Sequence, residues 1–273
     1  MNTKIWKSAA AVCLTSAMVA GCSNAPASNG NAATGGADLG DTVKVGLNFE
    51  LSGPTADYGT KERNGAAIAI EQFNAREDKP FTVEGVEIDN KGEPAEAVTA
   101  TTKLIEQDQV AGVVGPATSG CSIATFDFAT AKQVPVVAPS ATQVGATLKP
   151  DGSAYEFAWR VCFEDSFQGK GMAEYAFKTL GIKKVAIINE VSDYGNGVSA
   201  AFKEKFVELG GEVLDETQYQ SGDKDFASFV TKIKDLDFDG IYVAGYYNEA
   251  AQIVKAIKAE GIDKPIIGAD GFD

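Results

Sequence analysis

The chain has 273 residues, 44% hydrophobic and 23% charged, with a formal net charge of −14 and no histidine. Its length and composition suit a globular protein with more than one core. So acidic a surface repels phosphate backbones and argues against nucleic acid as a partner, while the missing histidine removes the commonest metal ligand and general base.

Lys4 and Lys7 precede Ala9 to Ala20, a run of small and apolar residues broken by Thr15 and Ser16, and Val19-Ala20-Gly21-Cys22 closes the segment. A charged start, a short apolar core and small residues at a cut are marks of a secretory signal peptide. The run falls short of the about 20 residues that span a bilayer. A cysteine placed directly after the small residues resembles the lipobox of bacterial lipoproteins. That implies a signal peptide over residues 1–21, acylation of Cys22, and a lipid anchor on the extracytoplasmic face of a bacterial membrane, at the cell surface or in the periplasm. Residues 22–41 are rich in Ser, Asn, Ala and Gly without periodicity, as expected of a flexible tether.

From Val43 strand-like and helix-like segments alternate. Val43 to Leu47 is β-rich, and Lys61 to Asn74 carries Ala66, Ala67, Ile70 and Phe73 at helical spacing. A strand over Val83 to Ile88 is followed by a helix opened by Glu93-Pro94, proline being suited to a first turn. Val110 to Val114 and Val134 to Ala138 are apolar without alternation, as in parallel strands buried on both faces. Gly145 to Glu156 breaks the rhythm, and a lobe boundary is expected near Trp159 to Glu164. Beyond it, helices are predicted over Phe167 to Leu180, Asn196 to Leu209, Asp225 to Leu236, and from Asn248, as cap, to Glu260. Strands are predicted over Lys184 to Ile188, Val213 to Tyr219, Gly240 to Val243 and Pro265 to Gly268. Such alternation means an α/β protein with two doubly wound parallel-sheet lobes. The expected boundaries are 42–160 for the first lobe and 161–273 for the second, each incomplete.

Short motifs carry a family likeness: Leu51-Ser52-Gly53-Pro54 with Tyr58-Gly59; Val114-Gly115-Pro116 to Ser119; Pro139-Ser140-Ala141-Thr142; Asp193-Tyr194-Gly195; and Gly245-Tyr246-Tyr247-Asn248-Glu249. In this order and spacing the chain resembles the type I periplasmic binding proteins, in their Leu/Ile/Val-binding branch. The family's chain normally continues past Asp273. The resemblance implies a Venus-flytrap pair of lobes that captures a small amino acid, branched-chain by preference, and delivers it to the permease subunits of an ABC importer. It implies a monomer with no cofactor, no metal and no catalytic activity.

A free amino acid presents a carboxylate and an ammonium, and burying either is costly unless it is paired. Ser119 and Ser140-Ala141-Thr142 follow strands, where open α/β sheets bind ligands and helix N-termini favour anions. By the resemblance Ser119 and Thr142 donate hydroxyls to the carboxylate, with Ser140 and the N–H groups near Ala141 assisting. Ordinary helix capping is the competing explanation for these hydroxyls. Asp270, just past the last strand, is the acid that the resemblance sets against the ammonium; a solvated Asp-Gly turn is its alternative. Tyr58, Tyr194 and Tyr246 fall in motif loops that line the ligand in the family.

Cys121 and Cys162 remain after export, and an exported chain with two cysteines favours a disulfide between them over two buried thiols. Rival functions are an enzyme on a dinucleotide-binding fold, a ligand sensor, and a receptor for an amide, urea or aromatic acid. The first strand leads into Glu50-Leu51-Ser52-Gly53-Pro54 rather than G-x-G-x-x-G, which counts against the enzyme.

Overall fold

Apolar runs set between helices fold as parallel strands in the computed structural model, which describes residues 40–272. The signal peptide, Cys22 and nearly all of the tether lie outside the described residues. The first sheet is built from β1 (Thr42–Phe49), β2 (Thr82–Asp89), β3 (Gly112–Val114), β4 (Val136–Ala138) and β5 (Ala158–Arg160). Between them run α1 (Ala56–Asn74), α2 (Pro94–Glu106) and α3 (Ser119–Lys132). The second sheet holds β6 (Lys184–Glu190), β7 (Glu212–Tyr219), β8 (Gly240–Ala244) and β9 (Ile266–Gly268). Its helices are α4 (Asp165–Glu174), which runs on into a π-helical turn at Tyr175–Thr179, α5 (Asp193–Glu208), α6 (Ala227–Ile233) and α7 (Tyr247–Ala259).

The strand orders are β2-β1-β3-β4-β5 and β7-β6-β8-β9, all pairs parallel. The second order repeats the first over four strands, so each loop at one sheet's edge has a counterpart at the other. Burial explains the unbroken apolar runs. Along β6, Val185 and Ile187 enter one core with Phe202, Phe206 and Tyr242, while Ala186 and Ile188 enter another with Val230, Ile253 and Ile257. Both faces of the second sheet are therefore filled.

The first sheet is filled on one face, by Leu104, Phe126 and Ala129 against Val113 and Val136. Its other face carries a register row, Leu47–Val114–Val137–Trp159. α1 covers the start of that row, so exposure rises from 4% at Leu47 to 47% at Trp159.

Helix starts differ from the periodicity. α1 begins at Ala56, α3 at Ser119 and α5 at Asp193, each before its first apolar repeat, because the leading turns are polar and Gly-rich. Tyr58 and Tyr194 accordingly sit in first helical turns and not in loops. Asn248 is not a cap. Tyr246 is the N-cap residue of α7, and the Asn248 amide donates to the Pro54 carbonyl at 2.5 Å.

The expected disulfide is corrected: Cys121 and Cys162 are free thiols. Cys121 is buried beside Glu50, and burial and that charge push its thiol up. Cys162 lies half-buried near Arg160, Asp165 and Asp270, where burial raises its thiol to about 11. Compartment and cysteine count say nothing about whether two side chains meet.

Phe202 stacks on Tyr242 with ring centroids 3.9 Å apart and is fully buried. Phe202→Ala is expected to lower the unfolding free energy by about 3–5 kcal/mol in urea titration. Trp159→Ala, on the open flank, should change it by less than about 1 kcal/mol.

Candidate functional site

The loops after β1, β3 and β4 meet those after β6, β8 and β9 at the carboxyl ends of the strands, where open α/β sheets place ligands. Tyr58, Thr118, Ser140, Thr142, Tyr194, Tyr246, Asp270 and Gly271 line a cavity of about 10 Å³ there. The repeat pairs them. Tyr58 answers to Tyr194, Thr118 to Tyr246, and the Ser140–Thr142 turn to Asp270-Gly271. Ser119 and Ala141 lie just behind, both buried. The Ser119 hydroxyl accepts from the Gln143 amide at 3.2 Å, and the Ala141 carbonyl accepts from the Arg160 guanidinium.

The tyrosines are held by one another and by Asp270. Tyr194 stacks on Tyr246 at 4.9 Å, and Tyr58 meets Tyr246 edge-on at 6.0 Å. Tyr194 donates its hydroxyl to Asp270 Oδ1 at 2.8 Å and accepts from the Gly271 amide at 2.8 Å. Tyr58 donates to the Asp270 carbonyl at 2.5 Å, and Asp57 N–H donates to the Tyr247 hydroxyl at 3.1 Å. With the Asn248–Pro54 bond these contacts join the two lobes along the rim. A cavity of this size takes about one water, so anything larger enters only when the rim parts. Beside it lies a wider outer cleft of about 340 Å³, sharing Thr118, Tyr194 and Tyr246 and edged by Glu93, Glu190 and Asp193.

The threonine and serine hydroxyls on the first lobe's wall, Thr118, Ser140 and Thr142, are each engaged by a carboxyl that is buried or part-buried, which the sequence does not suggest. Thr118 donates to Glu50 Oε1 at 2.9 Å, and the Ala117 and Thr118 amides donate to the same carboxylate, each at 3.0 Å. Ser140 lies 2.5 Å from Glu62 Oε1. Thr142 lies beside Asp165, whose amide donates to the Thr142 carbonyl at 2.8 Å. Burial raises the Asp165 carboxyl to about 6, against the bonds from Gln168 and Thr142. Gln168 ties two parts of the second lobe together: it donates to Asp165 Oδ1 at 2.7 Å and accepts from the Asp270 amide at 3.1 Å.

The second lobe repeats the first lobe's glutamate. Glu190 ends β6 as Glu50 follows β1, and burial, with the charge of Glu249, raises it to about 7. The Tyr246 amide bonds its carboxyl, as Thr118 bonds Glu50. Tyr58-Gly59 and Tyr194-Gly195 repeat the likeness. A Cβ on Gly59 would stand 2.2 Å from the Glu50 carbonyl oxygen, and one on Gly195 2.4 Å from that of Glu190. Asn48 and Asn189, two and one residues before these glutamates, are buried as well, and a shared Asn–Glu strand end was the signal available in the sequence. Among the described residues no group of three or more Cys, Asp or Glu side chains is arranged to hold a metal ion.

Residues 42–273 match the family described as periplasmic binding protein. The Leu/Ile/Val-binding protein BraC3 of Rhizobium johnstonii is 33% identical over 237 residues, covering 84% of this chain and 62% of its own length. The crystal structure of the branched-chain amino acid transporter substrate binding protein LivJ from Streptococcus pneumoniae, in complex with isoleucine, is 44% identical. It superimposes with a TM-score of 0.78, covering 85% of this chain and 65% of the other. The leucine binding protein LivK from Thermotoga maritima is 34% identical, with a TM-score of 0.79, over 85% and 64% of the two chains. The chain thus spans about 62% of the length of the curated relatives it matches.

Glu50→Ala is expected to leave the Ala117 and Thr118 amides without a partner and to lower stability by at least about 2 kcal/mol in urea titration. Glu93→Ala, exposed at the cleft mouth, should change it by under about 0.5 kcal/mol.

Proposed function

We propose, from the premise that the chain belongs to the periplasmic binding protein family, that it is a receptor for a small amino acid with an aliphatic side chain, branched-chain by preference, and that it hands this ligand to the permease of an ABC importer. The observation that carries the reading is the convergence of Tyr58, Thr142, Tyr194, Tyr246 and Asp270 on one cavity at facing strand ends. The names and bound isoleucine of the relatives point the same way.

In this reading Ser119, Thr142 and the N–H groups about Ala141 grip the ligand carboxylate from the first lobe, residues 42–160. Ser140 belongs to the same wall. Asp270, from the second lobe over residues 161–273, pairs with the ammonium, its Oδ1 already oriented by Tyr194. Tyr58, Tyr194 and Tyr246 wall the aliphatic group, which suits rings that bury their faces while their hydroxyls stay bonded. Ligand docked on one lobe and bonded by the other shifts the population toward closure. The sequence pattern adds export by a signal peptide over residues 1–21 and a lipid anchor at Cys22, with residues 22–41 as tether on the extracytoplasmic face. Among the described residues no helix is long and apolar enough to cross a membrane.

Calorimetric titration against leucine, isoleucine, valine, glycine and benzoate tests the reading. An aliphatic amino acid should bind and benzoate should not, since a lone anion meets Asp270 without an ammonium. Asp270→Ala should weaken isoleucine by about 2–5 kcal/mol, because it leaves a buried ammonium unpaired. A loss below a few tenths of a kcal/mol would remove Asp270 from the site.

A further inference from the structure

Ser140 has one hydroxyl proton and two acceptor neighbours. Its Oγ lies 2.5 Å from Glu62 Oε1 and 3.0 Å from the carbonyl of Ala117, a residue with no exposed surface. Were Glu62 an anion, the serine could serve only one of them, and a buried backbone carbonyl or a buried carboxylate would go without its bond. The second oxygen of Glu62 is buried with no partner at all, a costly place for half of a charge. A proton on Glu62 resolves the conflict. Glu62 then donates to Ser140, Ser140 donates to Ala117, and every short contact has one donor and one acceptor.

We infer that Glu62 carries its proton on the acid side of neutrality and aims the Ser140 hydroxyl at the Ala117 carbonyl, so that an amino acid binds to the neutral form of this acid. The inference rests on the cleft being an amino-acid site, and it makes Ser140 and Glu62 positioning residues rather than ligand contacts. The turn they hold is the one that Glu50 holds from its other side, by the amides of Ala117 and Thr118.

The surroundings agree. Burial pushes the Glu62 carboxyl up to about 7, against the Ser140 bond, and the charge of Glu50 at the end of β1 acts with burial. Arg63, its neighbour on α1, is engaged by Glu87 of β2 at 3.2 Å. The loop after β4 presents only the uncharged Ser140. Once Glu62 ionises, the Ser140 proton turns to it, the Ala117 carbonyl is left bare, and a second negative charge stands beside the wall meant for the ligand carboxylate.

Two measurements on the full-length protein test this. Carbon-13 NMR of the glutamate carboxyls, without ligand, should show a resonance titrating near 7 that is absent in Glu62→Gln. Titration of that carbon near the ordinary glutamate value would overturn the inference. Isoleucine affinity should then fall about tenfold between pH 6 and pH 8, as for one required proton on a group titrating near 7. Glu62→Gln, whose amide can donate to Ser140, should bind across this range as the parent does at pH 6. Glu62→Ala should bind at least about tenfold more weakly than Glu62→Gln at pH 6. Asp165 and Glu190 titrate nearby but are present in all three proteins, so the difference between profiles reports on Glu62. Identical profiles for parent and Glu62→Gln, or no gain of Glu62→Gln over Glu62→Ala, would refute the role. If no amino acid binds any of the three, the ligand reading fails, and the NMR titration still decides whether Glu62 is neutral.

Discussion

The carboxylate of Glu50 holds the turn between β3 and α3 through the amides of Ala117 and Thr118 and the Thr118 hydroxyl. The Thr118 amide is one of the orphan donors at the N-terminus of α3, and an internal acid satisfies it and the neighbouring Ala117 amide before any ligand arrives. Everything placed by that turn follows from it: Ser119 against the Gln143 amide, the Ala117 carbonyl before Ser140, and Thr118 on the cavity wall. The second sheet uses the same device, with Glu190 at the end of β6 and the Tyr246 amide at the start of α7. Two strand-end glutamates thus shape the two edges that face each other.

The result is a cleft whose walls are rich in buried acids. Glu50, Asp165, Glu190 and Glu249 are all nearly or fully buried, and Asp270 faces them at the end of β9. Burial, then the charges of Glu190, Glu50 and Asp270, hold the Tyr246 phenol well above its ordinary range. Arg160 is committed to the carbonyls of Ala141 and Gln143 and to Glu164. In such a field the ammonium of the proposed amino-acid ligand would find ready partners, whereas its carboxylate would depend on hydroxyls and amides that must be aimed. This asymmetry explains why the hydroxyls of the first wall are tied so closely to acids whose protons or hydrogen bonds orient them.

Much of the fold was readable from patterns that follow from burial. β6 and β8 are apolar without alternation because helices fill both faces of their sheet. The cavity residues Tyr58, Ser140, Thr142, Tyr194, Tyr246 and Asp270 came from motif likeness and stand together. What escaped the pattern was polar. The first turns of α1, α3 and α5 face the cleft, so they carry no apolar repeat. Glu50 and Glu62 look like solvated acids in one dimension, because only the third brings Ala117 and Ser140 to them. The cysteines show the converse error, since count and compartment gave no geometry.

The rim contacts from Tyr58 to Asp270, Asn248 to Pro54 and Asp57 to Tyr247 act as a latch. Bonds of this kind contribute about 0.5–1.5 kcal/mol each, and they must break before the rim parts. Entry needs the parted form, so a latch that depletes it would lower the apparent affinity for any guest in proportion. Strengthening the latch would make loading slower and weaker for every guest alike, without changing which is preferred, and loosening it would make capture easier but leave the shut form less favoured once the guest has gone.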